Sequence, residues 1–430
     1  MRRPGTIGLA TAAAMLACVF CLGQQSPNPP APPSRRAPPP EPGPKPALRI
    51  DVAPLGYMPP STFYLSDRLS SQALDFFDDD HLLFSFRVGG LLKRLPSDRQ
   101  GDDDQQIRAL VLDSRTGKVL KQSEWRMHDR LQYLWPFPGG KFLVRIRDSL
   151  YVTDTSLALT PYLSFDTPLE AIEISPDRKM MLVERDVPAR FSRPDSDGTE
   201  GVVKPVQIEL VQPETAQTTV IREASRSVHI PLLGDGLADV LEGKQEESWA
   251  VRDIPLQGDP QILTEVKSNC RPTVQPVSAN VALVLGCYLA DADRPVVAIT
   301  TAGKELWRQN WQSKFVWGWF NSAQNGSRFA YESLEVARPI GVFDSIGPED
   351  ITAQLVGVYD TESGKLVLVK DTTPVLTAGQ NVALSPNGKR FAVLRHGAIE
   401  IYDLPPVSAP PPAAPRSKTS ETAKGSASAQ

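Results

Sequence analysis

Short apolar runs, several alternating with polar residues, follow one another from Ala73 to Tyr402 and are cut at close intervals by tight turns. One form of turn is Pro138-Gly139-Gly140-Lys141, Ser175-Pro176-Asp177-Arg178-Lys179, Gln324-Asn325-Gly326-Ser327-Arg328 and Ser385-Pro386-Asn387-Gly388-Lys389. A second is Arg115-Thr116-Gly117-Lys118, Thr301-Ala302-Gly303-Lys304 and Glu362-Ser363-Gly364-Lys365. Glycine between two such runs predicts a hairpin, because it takes the left-handed backbone without steric cost. Recurrence of one small unit decides the architecture before any single residue does, since no unit buries its apolar face alone. The runs fall into groups of four, and each group predicts an antiparallel blade with strand a innermost and strand d outermost.

The first group runs from Ala73 to Trp125, the second from Leu131 to Phe165 and the third from Ala171 to Arg222. The fourth spans Val228 to Val266, the fifth Arg271 to Trp311 and the sixth Phe315 to Lys370. The seventh offers only three strands, beginning at Val382, Arg390 and Ala398. An open ring would leave a bare sheet edge at the seam, and the apolar-polar alternation from Leu48 to Val52 is the segment to cover it. The expectation is an all-β chain: a seven-bladed β-propeller of four-stranded antiparallel blades, closed by an N-terminal strand.

The run from Ser385 to Val393, Ser-Pro-Asn-Gly-Lys-Arg-Phe-Ala-Val, resembles the first hairpin of exported WD-repeat-like and YVTN-type β-propellers. The run from Val111 to Leu120 is similar to their outer hairpin. The resemblance extends over most of residues 70 to 403, although no Trp-Asp pair closes the third strands and no Gly-His pair opens the blades.

Both ends differ in kind from this middle. Residues 1–23 read as a secretory signal, with Arg2 and Arg3 ahead of an apolar stretch from Ile7 to Leu22. Cleavage after Gly23 is one outcome; lipoprotein processing at Cys18 and a retained anchor are the others. Residues 24–46 form a Pro-rich linker, in which 11 of the 21 residues from Ser26 to Pro46 are proline and forbid a packed core. The propeller takes residues 47–404, and residues 405–430 form a Pro/Ala/Ser tail expected to be disordered. With the signal removed, the mature protein is expected outside the cytoplasm, secreted or periplasmic, with no membrane span in the mature chain, and it is expected to be a monomer.

Charge narrows the partners. The whole chain has a formal net charge of −4, and loss of the signal's two arginines would leave it near −6, without the basic excess that nucleic acid requires. Cys18 and Cys21 lie in the signal, which leaves Cys270 and Cys287. These are expected to pair as a disulfide stapling neighbouring strands, two free buried thiols being the alternative.

Candidate chemistry is sparse. No Gly-Lys pair has phosphate-loop spacing, and neither a Gly-x-Ser-x-Gly elbow nor a His-Glu-x-x-His pair occurs. His81 and His396 fall at predicted turns; His128 and His229 are the two placed for acid-base or metal work. The runs Asp78-Asp79-Asp80 and Asp102-Asp103-Asp104 read as solvated turns, with a calcium loop as the alternative. Tryptophans predict packing between blades, with Trp135, Trp317 and Trp319 also able to line a channel mouth. No cofactor is expected.

The strongest functional signal is length. Insertions from Gly89 to Gln106, Asp186 to Pro205 and Glu335 to Thr352 each separate strand b from strand c, so all three emerge on one face. Arg190, Phe191, Arg193, Phe343 and Asp344 are the candidate binding residues of that face. The reading is an exported binding or scaffolding module for a protein or cell-envelope partner. The alternative is an enzyme centred on the channel, either a lactonase-like hydrolase or a cofactor-dependent dehydrogenase.

Overall fold

The computed structural model describes residues 44–59, 72–90, 92–187, 205–243, 247–287, 293–312, 314–339, 350–375 and 380–407, together with residues 245, 344, 346 and 347. Strand β1 (Leu48–Asp51) comes first and is followed by a short 3-10 turn at Ala53–Leu55. Blade 1 is β2 (Gln72–Phe76), β3 (His81–Val88), β4 (Gln105–Asp113) and β5 (Val119–Met127). Blade 2 is β6 (Leu134–Phe137), β7 (Lys141–Ile146), β8 (Ser149–Thr153) and β9 (Thr160–Ser164). Blade 3 is β10 (Leu169–Ile174), β11 (Met181–Asp186), β12 (Val206–Gln212) and β13 (Gln217–Ala224). Blade 4 is β14 (Leu232–Leu233), β15 (Gly236–Glu242), β16 (Ser248–Pro255) and β17 (Gln261–Lys267). Blade 5 is β18 (Thr273–Ser278), β19 (Val281–Leu285), β20 (Arg294–Thr300) and β21 (Glu305–Trp311). Blade 6 is β22 (Phe315–Ser322), β23 (Arg328–Val336), β24 (Ile351–Asp360) and β25 (Leu366–Asp371). Blade 7 has β26 (Val382–Leu384), β27 (Arg390–Arg395) and β28 (Ala398–Asp403).

Six sheets run in sequence order, and the seventh has the order β1-β28-β27-β26. The N-terminal strand thus supplies the outer strand of the last blade. It pairs antiparallel with β28, Leu48 opposite Ile401 and Ile50 opposite Ile399. Every blade is four-stranded and antiparallel, which is the β-propeller expected from the repeats. No α-helix occurs among the described residues.

The recurring turns owe their glycines to backbone geometry. Gly117 in blade 1 has φ +74° and Gly388 in blade 7 has φ +68°, a region that disfavours residues with a Cβ. Gly117 also lies against the closing strand, since a Cβ placed there would come within 3.0 Å of Ile50 Cγ1. The equivalent of Gly388 in blade 3 is Arg178, which holds φ +63° despite its side chain.

Apolar burial lies between blades, where neighbouring sheets face one another. Leu83, Ile107 and Trp125 of blade 1 meet Phe142 and Val144 of blade 2, and the pattern repeats around the ring. The last interface completes it: Ile50 and Val52 join Ala392, Ile399 and Ile401 of blade 7 with Leu74, Phe84 and Leu110 of blade 1. Trp125, Trp249 and Trp307 pack with their indole N–H groups donating to the carbonyls of Leu157, Ser268 and Thr361, so they fill inter-blade space as expected. Arg328, only 1% exposed, donates to Asp360 at 2.9 Å and to the Gly388 carbonyl, tying blade 6 to blade 7.

Candidate functional site

Antiparallel alternation fixes which loops share a face. The turns joining strands a to b and c to d lie at one end of every blade; those joining b to c, and the links between blades, lie at the other. The three insertions therefore emerge on the same face as the links. Residues 188–204 lie outside the described part, so Arg190, Phe191 and Arg193 do too, as does Phe343. Asp344 is exposed in the third insertion and is already ion-paired with Arg338 at 2.8 Å. Connectivity thus gives the face, and of the five candidates Asp344 is the one that lies among the described residues.

The first insertion is the best defined. It folds over the link from blade 1 to blade 2 and is held there by ion pairs. Arg126 bridges Asp98 and Asp104, Arg147 pairs with Asp102, and Arg99 reaches Asp148 at 3.2 Å. His128, in the link, turns Nδ1 into this group at 2.7 Å from Asp104 Oδ1. The solvated-turn reading holds for Asp103, 60% exposed, whereas Asp102 and Asp104 turn inward and are only 11% and 16% exposed. The guanidinium of Arg147 holds the Asp102 carboxyl below its ordinary value. Burial opposes ionisation of Asp104, yet Arg126 and His128 outweigh it and lower that carboxyl as well. Asp98 went unnoticed in the sequence, because a lone acid in a polar loop carries no pattern.

Cys270 and Cys287 come to disulfide distance, with Cα atoms 6.0 Å apart. Cys270 precedes β18 and Cys287 follows β19, so the pair lies beyond the last paired residues of neighbouring strands, on the insertion face. The remaining histidines take simple partners. His81 contacts Asp78, and His396 contacts Asp371. His229 pairs with Glu173 at 3.4 Å, and that hydrogen bond raises its pKa.

The central channel has a volume of about 410 Å³ and is walled by inner strands of six blades. Its lining includes Trp135, Trp319 and Phe320, and its charged members are Asp75, Glu173 and Arg178. Burial lifts the Asp75 carboxyl to about 6, against the attraction of Arg178. Arg178 lines the channel from the left-handed position that glycine holds in blade 7, and its Nη1 donates to the Phe137 carbonyl at 3.4 Å.

No family model matches the chain, and no curated protein matches it in sequence. Among solved structures, an oligogalacturonate lyase from Vibrio parahaemolyticus is 12% identical, covering 79% of this chain and 93% of its own, with a TM-score of 0.45. A putative TolB from Agrobacterium tumefaciens is 13% identical, covering 67% and 95%, with a TM-score of 0.39. Likeness of this degree carries no chemistry. The class of the protein, a seven-bladed β-propeller, rests on its own hydrogen-bonded ladders. No helix among the described residues is long and apolar enough to cross a membrane.

Proposed function

We propose that the chain is an exported, non-catalytic module, monomeric, that binds a protein or cell-envelope partner on the face carrying its three insertions. The observation that carries this reading is the asymmetry of the ring. Compact turns occupy one face, while the three insertions leave the other, one each from blades 1, 3 and 6 of the ring. In this reading the signal directs export and the insertions meet the partner. Photo-crosslinkers placed at Arg190 and Asp344, and at Lys118 on the opposite face, test this in intact envelopes. The same adduct from Arg190 and Asp344, with none from Lys118, supports the reading. Equal labelling from both faces, or none, overturns it.

One observation favours the channel-centred alternative. A carboxyl lifted to about 6 stands with a left-handed arginine inside a channel, an arrangement suited to proton transfer. In that reading Asp75 is the acid-base group and Arg178 holds an anionic part of a substrate. Turnover of a lactone or other ester that survives shortening of the insertions but is lost in Asp75→Asn would establish it.

A further inference from the structure

Three carboxylates and one imidazole converge where the first insertion crosses the link into blade 2. Ligand atoms of Asp98, Asp102, Asp104 and His128 all lie within 4.8 Å of one another. His128 Nδ1 is at the middle, 2.7 Å from Asp104 Oδ1 and 3.7 Å from both Asp98 Oδ1 and Asp102 Oδ2. It is also 3.0 Å from Arg147 Nη2.

Ion pairing within the group leaves two atoms unsettled. The Asp98 side chain is 2% exposed; its Oδ2 accepts from Arg126 and from the Leu95 amide, but Oδ1 is buried without a hydrogen-bond partner. An orphan carboxylate oxygen in the interior is costly. His128 Nδ1 faces contradictory demands. A guanidinium can only donate, so toward Arg147 the ring nitrogen must offer a lone pair, whereas toward Asp104 it must carry a proton. One nitrogen cannot do both. A cation bound by Asp98 Oδ1, Asp104 Oδ1 and the Nδ1 lone pair would give the orphan oxygen and the ring nitrogen a partner together, with Arg147 left to donate to Asp102 and the Ser97 carbonyl.

The surrounding charges agree. Three carboxylates face the two guanidiniums of Arg126 and Arg147, which leaves one negative charge when His128 is neutral. Those arginines also fix the carboxylate orientations from outside, as the outer partners of metal ligands do. We propose that Asp98, Asp102, Asp104 and His128 form a binding site for a divalent cation of the Mn²⁺ or Zn²⁺ kind. Carboxylates alone would suit Ca²⁺ or Mg²⁺; the imidazole nitrogen shifts the preference to a first-row transition metal. The bound ion locks the first insertion to the blade 1–2 link. The site stands independently of the partner reading, since it needs only residues of this chain.

The test is calorimetric titration of the intact, EDTA-stripped protein with MnCl₂, ZnCl₂ and CaCl₂, alongside Asp98→Asn and His128→Gln. One Mn²⁺ or Zn²⁺ is expected per chain, with nitrogen coupling in the Mn²⁺ electron paramagnetic resonance spectrum. Each variant should weaken binding by about tenfold or more. Metal should also slow tryptic cleavage at Lys93, Arg94 and Arg99 in the wild type, mapped by mass spectrometry. Absence of saturable binding up to about 1 mM metal overturns the site. So does affinity unchanged in both variants, or Ca²⁺ binding as strong as Mn²⁺ and indifferent to His128→Gln. If Asp98→Asn alters the far-ultraviolet spectrum of the metal-free protein, His128→Gln and the nitrogen coupling decide the matter.

Discussion

Glu332 on β23 offers a sharp test of the buried polar seam that joins blades 6, 7 and 1. Its side chain is enclosed; Oε1 accepts from the Thr372 hydroxyl at 3.4 Å, and Oε2 has no hydrogen-bond partner. Beyond Thr372 the seam continues through Asn381, which donates to Gln354 at 3.1 Å and accepts from Gln72 at 2.7 Å. No cation pairs with the carboxyl among the described residues, so desolvation dominates and lifts it from 4.5 to about 8. The folded-state value lies above the unfolded one, so the native state keeps a proton that the unfolded chain has already released. Stability from this group is fully present below 4.5 and is lost as pH rises through 8. Between pH 5 and pH 9 the loss comes to about 4 kcal/mol, at ~1.4 kcal/mol per unit across the window.

Glu332→Gln keeps the size and holds a neutral group at every pH. The variant should match the wild type within about 1 kcal/mol at pH 5 and exceed it by about 4 kcal/mol at pH 9. Urea unfolding of both proteins across this range measures the difference directly. Other titrating groups, Asp75 among them, are common to both chains and cancel when they do not contact the site. Parallel stability curves for the two proteins would refute the reasoning, because they would mean that Glu332 is ionised in the fold and partnered.

Deleting residues 47–53 removes β1, exposes the edge of β28 and takes Ile50 and Val52 from the last inter-blade core; the melting temperature should fall sharply, while deletion of residues 26–43 should leave it unchanged. The milder Ile50→Ala should cost about 3 kcal/mol in urea unfolding, and a full melting temperature in the strand deletion would sink the closure. Cys270→Ser with Cys287→Ser opens a loop of sequence separation 17 and should lower stability by roughly 3 kcal/mol under non-reducing conditions. Reduction with dithiothreitol should bring the wild type to the same value, and a wild type insensitive to reductant would contradict the bond.

The architecture was legible in the chain because a propeller is built from local hairpins. Each turn such as Ser385-Pro386-Asn387-Gly388-Lys389 joins strands adjacent in sequence, so pattern and turn chemistry specify a blade without distant information. Even the closure could be read, since a three-stranded last blade and an alternating Leu48–Asp51 segment leave each other as partners. The face that carries the insertions followed from connectivity alone.

What the sequence could not disclose is which polar side chains meet across blades. His128 and Asp98 are thirty positions apart, and nothing in a polar loop marks Asp98 as the acid that ends up buried with one oxygen unpaired. Asp102 and Asp104 looked like a hydrated turn because a run of acids in a loop has no periodicity to read; the inward fold of the insertion, set by Arg126 and Arg147, decided otherwise. Arg178 likewise reads as one more turn residue until the ring closes and places it in the channel with Asp75. Local propensity and pattern determined strands, turns and ring closure. Long-range packing decided burial, and with it the charge state and partners of the few titratable groups that chemistry or binding could use.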